Sequence, residues 1–215
     1  MFVVKNMPMI THNFSRRYQR RNSQISSSKY VAQQRLKARQ IVDLIEKDHL
    51  KLIAFDFDRT LLSIHTHGDY QGTIDYLIEH IRSTFSYLIE EILNSSLFNQ
   101  TIFLCIVTFS PQDKLIRQLL RQAFQNPNTD KIMICSNTPE FYSTIKDKPF
   151  CGKEYHLASV RNQIAMKYKR ILKPDEILLF DDDVQNILVA EKFGHRVLEI
   201  RDDINLEVLR KFFER

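Results

Sequence analysis

Chemistry in this 215-residue chain is to be sought where apolar runs close on polar residues. One run, Leu52-Ile53-Ala54-Phe55, ends in Asp56-Phe57-Asp58-Arg59-Thr60. A second, Ile106-Val107, ends in Thr108-Phe109-Ser110, and a third, Ile177 to Phe180, ends in Asp181-Asp182-Asp183. On a strand, side chains two apart share a face, so Asp56 and Asp58 point to the same side for as long as strand pairing lasts. Carboxylates gathered on one rim repel one another unless a cation neutralises them, and an all-oxygen set selects a hard ion such as Mg²⁺ over zinc.

Those residues need a frame. Five short apolar runs, 51–57, 101–109, 131–135, 176–180 and 195–200, have the length of buried strands. Between the first two, Ile74, Leu77, Ile78, Ile81, Phe85, Leu88 and Ile92 keep the helical period as one long helix. Ile116, Leu119, Leu120 and Ala123 repeat it, as do Leu157, Val160, Ile164 and Tyr168. Ala38, Ile41, Val42 and Ile45 announce a helix before the first strand, and Leu206, Leu209 and Phe213 a closing one. This alternation predicts an α/β domain: a three-layer α/β/α, Rossmann-like fold around a parallel five-stranded sheet. About 40 residues separate Thr60 from Thr101, too few for a large cap domain. Ligands of such sheets bind outside the carboxyl ends of the strands, where the polar residues sit.

Composition narrows the class further. With 43% hydrophobic and 27% charged residues, 4 Gly and 6 Pro, the chain is not collagen-like, low-complexity or wholly disordered. No apolar run approaches the length of a membrane span. The net charge of +5 resides in residues 1–42, with nine basic residues and no acidic one. Removing those nine leaves 22 Lys and Arg against 26 Asp and Glu, so residues 43–215 are mildly acidic and nucleic acid is not the expected partner. Residues 1–30 read as a basic flexible arm and 31–215 as the folded domain. The arm has the Arg- and Ser-rich, acid-poor composition of an organellar transit peptide as well as of a plain tail. Cys105, Cys135 and Cys151 encode neither a disulfide framework nor a zinc site, and a reducing, cytoplasmic setting is expected.

The ordered motifs resemble the haloacid-dehalogenase-like superfamily of phosphohydrolases, over about residues 50–200. Its opening Asp-x-Asp-x-Thr is similar to Asp56-Phe57-Asp58-Arg59-Thr60, its strand ending in Thr or Ser to Ile106-Val107-Thr108, and its paired acids to Asp181-Asp182. Lys153 precedes His156 by three residues, and Asn186 follows Asp182 by four, as in the capless, magnesium-dependent phosphatase branch. Arg59 stands where glycine is common. The resemblance implies an aspartyl-phosphate on Asp56, acid–base work by Asp58, a phosphoryl hydrogen bond from Thr108 and charge balance by Lys153. It also implies Mg²⁺ held by Asp56, the Asp58 carbonyl and Asp182, with Asp181 as an auxiliary acid. Thr60, Arg59 and Ser110 are expected to face a phosphorylated small molecule or phosphoprotein.

Plainer roles stand beside these. Ser110, followed by Pro111 and Asp113, reads first as a helix N-cap with proline at the first helical position. Asp183 reads as the cap of the helix holding Ile187, His156 as a packing or capping residue, and Cys105 as a small buried hydrophobe. His65-Thr66-His67-Gly68-Asp69 has chelating spacing but lies in a loop, where a substrate-facing or idle role is the simpler reading. Phe109, Tyr70 and Tyr76 are candidate entrance residues. Two other functions fit parts of the pattern. A receiver-like phosphoacceptor domain uses the same residue types, but here the run 131–135, third of the five, ends in Ser136-Asn137 without an Asp. A non-catalytic module with a basic arm is the other.

Overall fold

The computed structural model describes the backbone of residues 12–214 and the side chains of residues 28–214. The expectation for a flexible arm thus falls on residues 1–11, outside the described residues, and on 12–30, whose backbone belongs to helix α1 (His12–Lys47). The carboxyl-terminal part of α1 buries Ala38, Ile41, Val42 and Ile45, the stripe that its sequence period marks. Among the described residues no helix is long and apolar enough to cross a membrane.

Five strands, β1 (Leu52–Phe55), β2 (Phe103–Thr108), β3 (Met133–Ser136), β4 (Ile177–Asp181) and β5 (Arg196–Glu199), form one sheet in the order β3-β2-β1-β4-β5. Every pairing is parallel, and β1, β2 and β4 are buried throughout. Burial on both faces explains why they read as continuous apolar runs rather than alternating ones. The helices are α2 (Ile74–Glu79), α3 (Ser83–Asn94), α4 (Asp113–Phe124), α5 (Pro139–Ile145), α6 (Glu154–Tyr168), α7 (Val184–Lys192) and α8 (Leu206–Phe213). The fold is the expected Rossmann-like α/β/α sandwich. From β1 the chain runs outward through β2 and β3, then crosses to β4 on the other side. The crevice between β1 and β4 is therefore the switch point where open sheets bind ligands.

The long helix expected over residues 74–92 is two helices. At His80–Arg82 the backbone leaves the helix: Ile81 bridges antiparallel to Leu62, Ser63 N–H donates to His80 O at 2.8 Å, and Arg82 N–H donates to Leu61 O at 3.0 Å. Ile81 preserves the helical period in the sequence, but these bonds to the segment after β1 override it. The cap expectation at Ser110 is also corrected. Helix α4 begins at Asp113 behind Gln112, and Pro111 lies outside it. Tertiary bonds hold this stretch open: Gln112 clasps both main-chain groups of Tyr70, and Asn137 N–H donates to Ser110 O. Ser110 Oγ merely accepts from Gln112 N–H at 3.3 Å.

Candidate active site

Strand β1 ends at Phe55 and Asp56 continues its alternation in extended backbone, so it is the turn after the strand that brings Asp58 to the same place. Residues Phe57–Leu61 form a widened turn in which Leu61 N–H donates to Asp56 O and Leu62 N–H to Phe57 O. Inside it Asp58 is extended and Arg59 is left-handed, at φ 57° and ψ −6°. A side chain in that conformation costs about 1 kcal/mol relative to glycine. The turn directs Asp56, Asp58 and Arg59 into one cavity of about 680 Å³, which Thr108, Phe109 and Ser110 from the end of β2, Lys153, and Asp181 and Asp182 from the end of β4 also line. Thr60 is fully buried just behind, its Oγ1 3.4 Å from Asp182 Oδ1. The residues expected to act in catalysis, phosphate binding or metal binding thus come to one place, Thr60 as a support behind the cavity.

Lys153 closes the site from below. Only 3% exposed, it donates from Nζ to Asp56 Oδ1 at 2.6 Å and lies 3.7 Å from the centre of the Phe109 ring. Gly152 makes that approach possible: at φ +51° a Cβ there would stand 3.2 Å from Asn186 Oδ1 and 3.3 Å from Val189 Cβ. His156, one turn into α6, donates from Nε2 to Asn137 Oδ1 at 2.8 Å and packs edge-on against Phe109. Burial, and then the Lys153 cation, push its pKa down to about 3, so it is neutral at physiological pH.

The two paired acids differ. Asp181 has both oxygens engaged by the Asn186 amide, at 3.0 and 3.1 Å, and Oδ1 also accepts from Asp183 N–H. Asp182 is half-buried; its own backbone N–H, the field of Arg59 and Thr60 Oγ1, 3.4 Å from Oδ1, favour its charge. Asp183 caps α7 through Gln185 N–H at 2.8 Å, as its sequence position predicts. Asp58 Oδ1 accepts from Thr66 N–H at 2.7 Å, and its other oxygen lies 3.3 Å from His65 Nδ1, which in turn accepts from His67 N–H. His65 and His67 stack 4.4 Å apart on the cavity wall, whereas Asp69 turns to the Gln71 amide, so the three do not gather as a chelate. Of the three candidate entrance aromatics Phe109 lines the cavity; Tyr70 and Tyr76 stack on each other instead.

Electrostatics make this rim a place for a cation. Burial raises the pKa values of Asp56, Asp181 and Asp182, with Lys153 pulling against it at Asp56 and Asp181. Charge that is disfavoured by burial on neighbouring oxygens is what a hard divalent ion relieves, so the donor set fits Mg²⁺. Among the described residues no three His, Cys, Asp or Glu side chains form a metal group. The set implied for Mg²⁺ is of a different kind, with two carboxylates, Asp56 and Asp182, and the Asp58 carbonyl.

Sequence reasoning missed Gly152, Asn137 and Arg82. A lone glycine before Lys153, in a chain with only 4, was a legible signal; the other two had none. Comparison with protein-family models and with curated proteins finds no match. Among solved structures, the chain is similar to a predicted HAD-like family hydrolase from Porphyromonas gingivalis, at 15% identity over 78% of this chain and 98% of that one, TM-score 0.42. A HAD-superfamily hydrolase from Ehrlichia chaffeensis gives 16% identity over 75% and 95%, TM-score 0.43. A HAD-family enzyme from Bacteroides thetaiotaomicron, in complex with magnesium and inorganic phosphate, gives 12% identity over 74% and 98%, TM-score 0.40.

Proposed function

We propose that this chain is a magnesium-dependent phosphatase of the haloacid-dehalogenase-like superfamily, hydrolysing a phosphomonoester through an aspartyl-phosphate. The observation that carries the reading is the buried Asp56–Lys153 pair facing one cavity with Asp58, Thr108 and Asp182. The catalytic domain would span residues 31–215, with 1–30 as an arm.

A carboxylate oxygen of Asp56 attacks phosphorus as the bond to the leaving oxygen breaks, and Asp58, as the acid, gives that oxygen its proton. Asp58 then takes a proton from water, whose oxygen attacks the same phosphorus and displaces Asp56 as a carboxylate, releasing phosphate. Thr108 Oγ accepts from Ser110 N–H, which leaves its own proton for a phosphoryl oxygen. Lys153 balances the charge that spreads over those oxygens. Asp56, the Asp58 carbonyl and Asp182 would hold Mg²⁺, which would supply Lewis-acid stabilisation of the same charge. Ser110 and Arg59 are assigned to the substrate's phosphate and rim, and the absence of an independent domain between β1 and β2 suits small phosphoesters and phosphoproteins alike.

The receiver reading is disfavoured by topology: receiver sheets run 2-1-3-4-5, whereas this one runs 3-2-1-4-5. The test is phosphate release from p-nitrophenyl phosphate. Multiple turnovers in Mg²⁺, abolished by EDTA and by Asp56→Asn, are expected. A single stoichiometric phosphorylation would restore the receiver, and no reaction at all would leave the binding module.

A further inference from the structure

We propose that Arg82 is a positioning residue that holds the left-handed turn between Asp58 and Thr60. The proposal rests on the reading of Asp56 and Asp58 given above. The turn is under strain at Arg59, whose φ of 57° sits between the acid–base carboxyl and the threonine that reaches Asp182. The Arg59 N–H is bonded to Ile64 O at 2.9 Å, and its carbonyl accepts from Arg82 Nη2 at 3.0 Å. The same Nη2 meets Asp202 Oδ1, from the loop after β5, also at 3.0 Å.

Arg82 has the marks of a built contact. Its side chain is only 10% exposed, and its Nε is buried without a partner among the described residues. An unsatisfied guanidinium nitrogen is unfavourable and calls for a compensating role. The backbone is shaped to deliver it, because Arg82 sits at the helix break where Ile81 bridges Leu62 and Arg82 N–H bonds Leu61 O. Main chain and side chain of one residue therefore grip the turn at Leu61 and at Arg59. Arg82 does not line the cavity, so its effect on the reaction passes through the backbone that carries Asp58.

The experiment uses the full chain with Mg²⁺ and p-nitrophenyl phosphate. Arg82→Ala should lower kcat about 10- to 100-fold with KM within about twofold, the size of effect expected from a small misplacement of reacting groups. Arg82→Lys, which keeps the charge and one donor, should fall between. The decisive comparison sets Arg59→Gly against Arg59→Ala in both backgrounds. Both lack the side chain and differ in tolerance of the left-handed region, so the glycine-to-alanine ratio of kcat should rise at least about fivefold when Arg82 is alanine. Independently of activity, Arg82→Ala should speed amide hydrogen exchange at Leu61 and Leu62 tenfold or more. Arg196→Ala, which breaks a 2.7 Å pair with Asp48 at the other end of the sheet, should leave these amides unchanged. Unaltered exchange at Leu61 and Leu62, or an equal glycine-to-alanine ratio in both backgrounds, overturns the proposal. If the wild-type chain releases no phosphate, the functional reading fails while the exchange measurement still decides the role of Arg82.

Discussion

On one face of the sheet Ile53, Phe55, Leu104, Ile106, Leu178 and Phe180 meet apolar side chains of α1, α3, α4 and α8. The rings of Phe55, Phe85 and Phe180 form a cluster with centroids 5.1–5.3 Å apart. On the other face Leu52, Ala54, Phe103, Cys105, Val107, Ile177 and Leu179 meet α6 and α7 through Leu157, Val160, Ile164 and Ala190. That second layer is thinner and includes small residues. Asp56 continues the alternation of Leu52 and Ala54, so the carboxylate turns to the thinner face, where α6 delivers Lys153. The two faces divide the work: the face with the ring cluster carries stability, and the lean face can bury two charges because α6 supplies apolar side chains and its N-cap residue, Lys153, the matching cation.

The strongest way to break that division is to remove the cation. Lys153→Met should cost on the order of 10³-fold in kcat by analogy with loss of other electrostatic groups. It should also destabilise the fold by about 3–5 kcal/mol, since Asp56 would be left buried without its partner. The double variant Asp56→Asn/Lys153→Met should return to within about 1 kcal/mol of wild-type stability while staying inactive, because a neutral pair needs no compensation. Urea unfolding and phosphate release measure both. A single variant as stable as wild type would mean that the lean face does not depend on the pair.

The opposite face gives the reciprocal expectation. Phe85→Ala empties the centre of the ring cluster and should destabilise by about 3–5 kcal/mol. Phosphatase activity per folded molecule, assayed well below the transition, should stay within about twofold. A large fall in kcat with little change in stability would reverse the roles assigned to the two faces.

Much of this plan is legible in the sequence, and the failures have physical causes. The strands announce themselves because burial on both sides makes them uniformly apolar, and Asp56, Thr108 and Asp182 follow from where those runs stop. Lys153 is found only through its order relative to His156 and Asp182, since nothing local distinguishes it from a solvated lysine. The helix break at His80–Arg82 is invisible because Ile81 keeps the period, and its cause is a bridge to Leu62, nineteen positions earlier. Ser110-Pro111 carries a sound local signal for a helix start that Gln112, Tyr70 and Asn137 override. Asp181 and Asp182 are chemically identical neighbours, and only the place where β4 ends decides which one Asn186 consumes.

The smallest effect is one of pH, and it refines the contrast by asking whether the lean face excludes charge elsewhere. His156 is held neutral there, with a pKa lowered to about 3 first by burial and then by Lys153, whereas in the unfolded chain it titrates near 6.5. Between those values the unfolded state binds a proton that the folded state refuses. Stability must therefore fall as pH is lowered from about 6.5 towards 3, by roughly 1.4 kcal/mol per pH unit from this group, with no contribution above that window. His156→Gln retains an amide donor for Asn137 but cannot titrate. Its stability relative to wild type should rise by about 2 kcal/mol between pH 7 and pH 5 in urea unfolding. Carboxylates common to both proteins cancel in that difference, so parallel pH profiles would show that the imidazole is reached by protons in the folded state, and that the lean face admits charge beyond the Asp56–Lys153 pair.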